Sequence, residues 1–100
     1  MVAAVKIEER TYQFALRIIR MVRALPEDYG AEAIGRQVLR SGTSVGANVE
    51  EAIGASSKRD FANKMSIAAR EARETHYWLR LQGFPVDAGE TYRAAHSRGT

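Results

Sequence analysis

Apolar residues recur at helical spacing along three long stretches of this chain, and no stretch alternates convincingly with period two. In the first, Ile7, Phe14, Ile18, Met21 and Leu25 follow steps of 7, 4, 3 and 4. That heptad-like stripe predicts a helix over about 6–25. Pro26 and Gly30 bound a turn. Ile34, Val38, Val45 and Val49 give a second helix, over about 31–53, its core face. After the turn at Gly54–Ser57, Phe61, Met65, Ala68, Ala72, Thr75 and Leu79 form the stripe of a third helix over about 58–82. Ser57 with Asp60 three residues on reads as a capping box, with Asp in place of the usual Glu or Gln. Gly83 terminates this helix and Pro85 prevents its continuation. Weaker helical character through Ala88, Tyr92 and Ala95 predicts a short or frayed fourth helix over about 86–97. The expected fold class is all-α: one domain over 1–100, an antiparallel up-and-down four-helix bundle.

The polar positions sharpen this picture. Gln37, Ser41, Ser44, Asn48 and Glu51 are spaced by 4, 3, 4 and 3 residues. At about 100° per residue they share a narrow stripe beside the apolar face of the second helix. Two readings stand: a solvated edge, or a seam of buried hydrogen bonds against a neighbouring helix. In the second reading Arg40, Ser44 or Asn48 donates to Glu51 and to Glu74 of the third helix, a polar network that sets register. Gly35, Gly42 and Gly46 also lie on the second helix. Each costs about 1 kcal/mol relative to Ala, which points to a closely approaching neighbouring backbone, with a kinked helix as the plain alternative.

The run RQ-x-x-RS-x-x-SV-x-AN-x-x-E, from Arg36 to Glu51, resembles the S23 or rRNA intervening-sequence family of four-helix-bundle proteins. A second run continues the likeness in order: S-x-x-DF-x-x-K-x-x-IA-x-x-EA-x-E-x-x-YWL, from Ser57 to Leu79. The F-A-L-x-I-x-x-x-V run at Phe14–Val22 is similar too. Gly42 stands where the family usually has Ala, and Ala52 where Gly is usual. The resemblance implies a bundle that commonly assembles as a homopentamer. It also implies genes lying within intervening sequences of ribosomal RNA genes or standing alone in bacterial genomes. Relatives act as accessory proteins of diversity-generating retroelements, binding nucleic acid and a reverse transcriptase. For most members the biochemical role is not established.

Composition narrows the classes. The 100 residues carry a net charge of +3 and no Cys, which excludes disulfides and thiolate metal sites. The start, MVAAVKIEER, lacks the pattern of a signal peptide, and no apolar run is long enough to span a bilayer. A cytoplasmic protein with no membrane contact is expected. Its basic residues are mostly Arg, which pairs bidentately with phosphate and stacks on bases. Lys6, Arg10, Arg17 and Arg20 share one face of the first helix. Arg59, Arg70, Arg73 and Arg80 share a face of the third with Tyr77. Both stripes fit a phosphate backbone with occasional base stacking. The bland alternative is a solvated face with ion pairs such as Arg70–Glu74.

Further apolar residues lie off the core stripes: Tyr12, Leu16 and Ile19 on the first helix, and Ile67, Trp78 and Leu81 on the third. They are candidates for a subunit interface, the alternative being a broad core that takes them in. No catalytic motif occurs, and His76 and His96 are the only histidines. Glu71 and Glu74 lack the ExxH partner of a di-iron bundle. No enzyme activity, metal or cofactor is expected. The leading expectation is an oligomeric nucleic-acid-binding protein for structured RNA or DNA. The alternative is an interaction scaffold whose ring docks an enzyme such as a reverse transcriptase.

Overall fold

The computed structural model describes residues 6–83. Over these residues the chain forms three α-helices and no strand: α1 (Ile7–Arg23), α2 (Tyr29–Ile53) and α3 (Lys58–Gln82). The fold is therefore all-α. The expected fourth helix over 86–97 lies outside the described residues.

Local chemistry sets the helix ends. α1 stops at Arg23, two residues short of the expected Leu25, because a residue preceding Pro26 is pushed out of the helical region. α2 starts earlier than expected, at Tyr29, because the Asp28 carboxylate accepts the Ala31 N–H at 2.8 Å. Ser57 Oγ caps α3 by accepting the Asp60 N–H at 3.0 Å, and Gly83 closes it at φ 73°, a conformation that favours glycine.

α1 and α3 both pack on α2 and have no close backbone contact with each other. Both pairings are antiparallel. Along α1 and α2, Gly46 meets Thr11, Gly42 meets Ile18 and Gly35 meets Leu25. Along α2 and α3, Ala31 meets Gln82, Ser41 meets Thr75 and Glu51 meets Lys64. Ile18, Val38 and Leu79 bring all three helices into one buried cluster, with Phe14, Met21 and Ile34 against it. Val45, Val49 and Ala68 form a second cluster with Met65 and Ala72. These are the predicted stripes, with corrections at their ends. Ile7 is 42% and Phe61 46% exposed, because both sit in the first turns of their helices, where little of the described chain packs over them.

Of the three glycines expected to face a neighbouring backbone, only Gly46 does so. A Cβ at Gly46 would stand 3.3 Å from the Thr11 carbonyl oxygen, so there the α1 backbone itself approaches. At Gly42 and Gly35 the neighbours are side chains, Ile18 and Leu25, each 2.9 Å from a built Cβ. No helix among the described residues is long and apolar enough to cross a membrane.

Candidate nucleic-acid interface

The polar seam on α2 faces α3. Ser41 and Thr75 are both fully buried, and their hydroxyl oxygens lie 2.8 Å apart. Ser41 Oγ also reaches the Gln37 carbonyl at 2.9 Å, and Thr75 Oγ1 the Glu71 carbonyl at 2.7 Å. Two hydroxyl protons thus serve three short contacts, and each group keeps a partner without water. Thr75, expected as plain core, is part of the seam. Spacing alone cannot show this, since a buried Thr at a core position reads as apolar.

Arg40 anchors the exposed edge of the seam. Its guanidinium pairs with Glu74, donates to Glu71 at 3.3 Å and donates through Nε to Gln37 at 3.2 Å. Glu74 also accepts the Trp78 indole N–H at 3.0 Å. Other members behave differently from the expectation. Ser44 and Asn48 donate to carbonyls of their own helix, those of Arg40 and Ser44, at 2.7 and 2.8 Å. Glu51 takes its bond from Lys64, at 3.0 Å. Trp78, expected at a subunit interface, packs against the Ile18–Val38–Leu79 cluster while its N–H is held by Glu74.

This inward use of acids decides what happens on the outer face of α3. The Arg70–Glu74 pair of the bland alternative does not form, because Glu74 is turned toward Arg40 and Trp78. Arg59, Arg70, Arg73, Tyr77 and Arg80 are all exposed. Among the described residues no ion pair engages any of these four guanidiniums. They occupy about 80° of the helix surface opposite Thr75, and no acidic residue of α3 shares that sector. On α1, Lys6, Arg10, Arg17 and Arg20 are likewise exposed and outside any ion pair among the described residues. The stripes lie on the two helices that flank α2, each away from it, so they make two ridges.

The remaining apolar candidates are divided. Tyr12 is 57% and Leu81 51% exposed, while Leu16, Ile19 and Ile67 are half-buried. A cleft of about 280 Å³ beside the α1–α2 turn is lined by Val22, Leu25, Leu39 and the exposed Arg36–Glu32 pair. It gathers no histidine, cysteine or serine. Among the described residues no group of three or more His, Cys, Asp or Glu is placed to hold a metal ion.

A crystal structure of a protein with unknown function from the S23 ribosomal protein family of Bacteroides thetaiotaomicron VPI-5482 is similar, with 32% sequence identity and a TM-score of 0.76. The match covers 92% of this chain and 90% of that one. No curated protein matches. The family model described as 23S rRNA-intervening sequence protein matches residues 4–83. On that match, which spans all three helices and both polar runs, the chain belongs to the 23S rRNA-intervening sequence protein family.

Proposed function

We propose that this chain is a non-enzymatic, cytoplasmic, oligomeric nucleic-acid-binding protein that engages structured RNA or DNA through its Arg-rich helix faces. The observation that carries this reading is the α3 stripe. Four exposed arginines share one sector that holds no acid, and the nearby Glu71 and Glu74 are paired with Arg40 in the seam. Unpaired guanidiniums on a straight helix bind phosphate oxygens without reading sequence. The test is binding of a labelled structured RNA at about 50 and 200 mM salt. Affinity is expected to fall steeply between the two. Changing Arg70, Arg73 and Arg80 to Ala is expected to weaken binding and flatten the log–log salt slope by about 2 to 3, from about 0.7 to 0.9 per lost contact. No binding by the unaltered protein at the lower salt refutes the reading.

The second reading is a ring-shaped scaffold that docks a protein partner. The off-core apolar residues Tyr12, Leu16, Ile19, Ile67 and Leu81 favour it, since they offer α1 and α3 surface for a neighbouring copy. Light scattering at micromolar concentration is expected to give an oligomer, most simply a pentamer of the 11.1 kDa chain. A monomer mass would remove both the ring and the avidity it lends to nucleic-acid binding.

A further inference from the structure

We infer that Tyr77 is a base-stacking platform, so that the preferred ligand on α3 is a run of unpaired nucleotides and not a continuous duplex. The inference rests on the nucleic-acid reading and specifies the ligand of the same surface. Three exposed tyrosines are available on the described chain, and their surroundings differ. Tyr29 follows Glu27 and Asp28, and Tyr12 shares a depression with Glu8 and Glu50. Carboxylates beside a ring repel the phosphates that any base brings with it. Tyr77 has Arg70, Arg73 and Arg80 at positions i−7, i−4 and i+3, all on its own sector, and the one carboxylate at like spacing, Glu74 at i−3, is paired with Arg40 and the Trp78 N–H. Neighbours at i−4 and i+3 stand about 5–6 Å away between Cβ atoms. A phosphate held on each side would therefore place a base over the ring.

The ring is also held. Tyr77 is 52% exposed yet meets Trp78 edge-to-face, with centroids 5.2 Å apart and an interplanar angle of 65°. Such a contact uses an edge of one ring and a face of the other, leaving at least one face of Tyr77 unused by Trp78. Trp78 is in turn fixed by the core cluster and by its N–H bond to Glu74, which Arg40 secures. Less rotamer freedom is then lost when a base settles on Tyr77. In a duplex both faces of each base are covered by neighbours, and a ring beside the backbone meets only sugar and phosphate. An unpaired base offers its face to an aromatic side chain, whatever its identity.

The experiment compares a short unstructured single strand, as RNA and as DNA, with the corresponding duplex, by anisotropy of the labelled nucleic acid. The single strand is expected to bind more tightly than the duplex. Tyr77→Ala is expected to weaken single-strand binding about 5- to 100-fold with duplex affinity unchanged, and Tyr77→Phe to retain it. Trp78 is a positioning residue here, so Trp78→Leu is expected to lower the ratio of single-strand to duplex affinity, which a purely structural role would leave constant. The RNA and DNA arms identify which strand carries the unpaired bases. A duplex that binds as well as the single strand, or a Tyr77→Ala protein with unaltered single-strand affinity, overturns the stacking inference. Absence of salt-dependent binding to every nucleic acid would instead remove the reading beneath it.

Discussion

Replacing Ile18 with alanine is expected to lower stability by about 2 to 5 kcal/mol, the range for emptying a packed core site. Ile18 is 1% exposed and joins Val38 of α2 and Leu79 of α3, so its loss opens a void where all three helices meet. Gly42 lies directly against it. A Cβ at Gly42 would stand 2.9 Å from both Ile18 Cγ1 and Cγ2. A β-branched side chain in a helix has essentially one χ1 rotamer and cannot swing aside. Gly42→Ala alone therefore sets about 1 kcal/mol of helix propensity against about 1–3 kcal/mol of overpacking, and net destabilisation is expected. In the double variant the new methyl enters the space that Ile18 vacated. The two costs should fall short of additivity by about 1 kcal/mol or more, measured from urea denaturation of all four proteins. Additive costs would mean that the two residues do not share the site. Gly35→Ala is the internal control. Its Cβ would be crowded by Leu25 Cδ1 alone, the far end of a flexible side chain, with Gln82 and Val22 at ordinary contact distance, so the helix gain should win and stability should hold or rise.

The same contrast between local and distant chemistry explains what could be read from the residues alone. α3 runs from Lys58 to Gln82, as its punctuation predicts, because Ser57 and Gly83 act on backbone groups within one turn of themselves. The Pro26 boundary and the Asp28 cap are equally local, yet the expected bounds of 25 and 31 missed them, and the true ends fall at Arg23 and Tyr29. The middles of the core stripes were legible because burial there follows from helical period. Ile7 and Phe61 were not, since exposure in a first turn depends on what covers the end of the bundle. The seam was legible as a stripe but not as a set of bonds. Ser41 and Thr75 are 34 residues apart and Ala31 and Gln82 are 51 apart. Which pairs meet depends on the relative rotation and register of two helices, and composition carries neither. For the same reason the fate of Arg70 was open. Glu74 sits four residues away on the same helix but lies nearer in bonding terms to Arg40 and Trp78.

Removing Arg40 is expected to cost about 1 to 3 kcal/mol, more than its surface position implies. An ordinary exposed pair such as Arg36–Glu32, with side chains 73% and 66% exposed, contributes about 0–1 kcal/mol. Arg40 differs because its two main partners sit one turn apart on α3 and are poorly hydrated. The side chains of Glu71 and Glu74 are 13% and 34% exposed. Without the guanidinium these two carboxylates face each other with no cation, and Glu71 has little water to replace it. The arginine side chain is itself 47% exposed, which keeps the cost below that of a fully buried pair. Arg40→Met should therefore lower the thermal midpoint clearly more than Arg36→Met. Arg40→Lys should recover only part of the loss, because a single ammonium cannot span Glu71, Glu74 and Gln37 as the planar fork does. Changing Glu71 to Gln in the Arg40→Met background should restore stability, since the repulsion disappears with one charge. If Arg40→Met and Arg36→Met melt together, the seam is an exposed ornament and register rests on Ser41, Thr75 and the apolar clusters alone. If they differ as expected, the network that sets the α2–α3 register also turns Glu74 away from Arg70 and leaves the outer arginines free for phosphate. Arg40→Met would then release Glu74, and nucleic-acid affinity should fall although no stripe residue has changed.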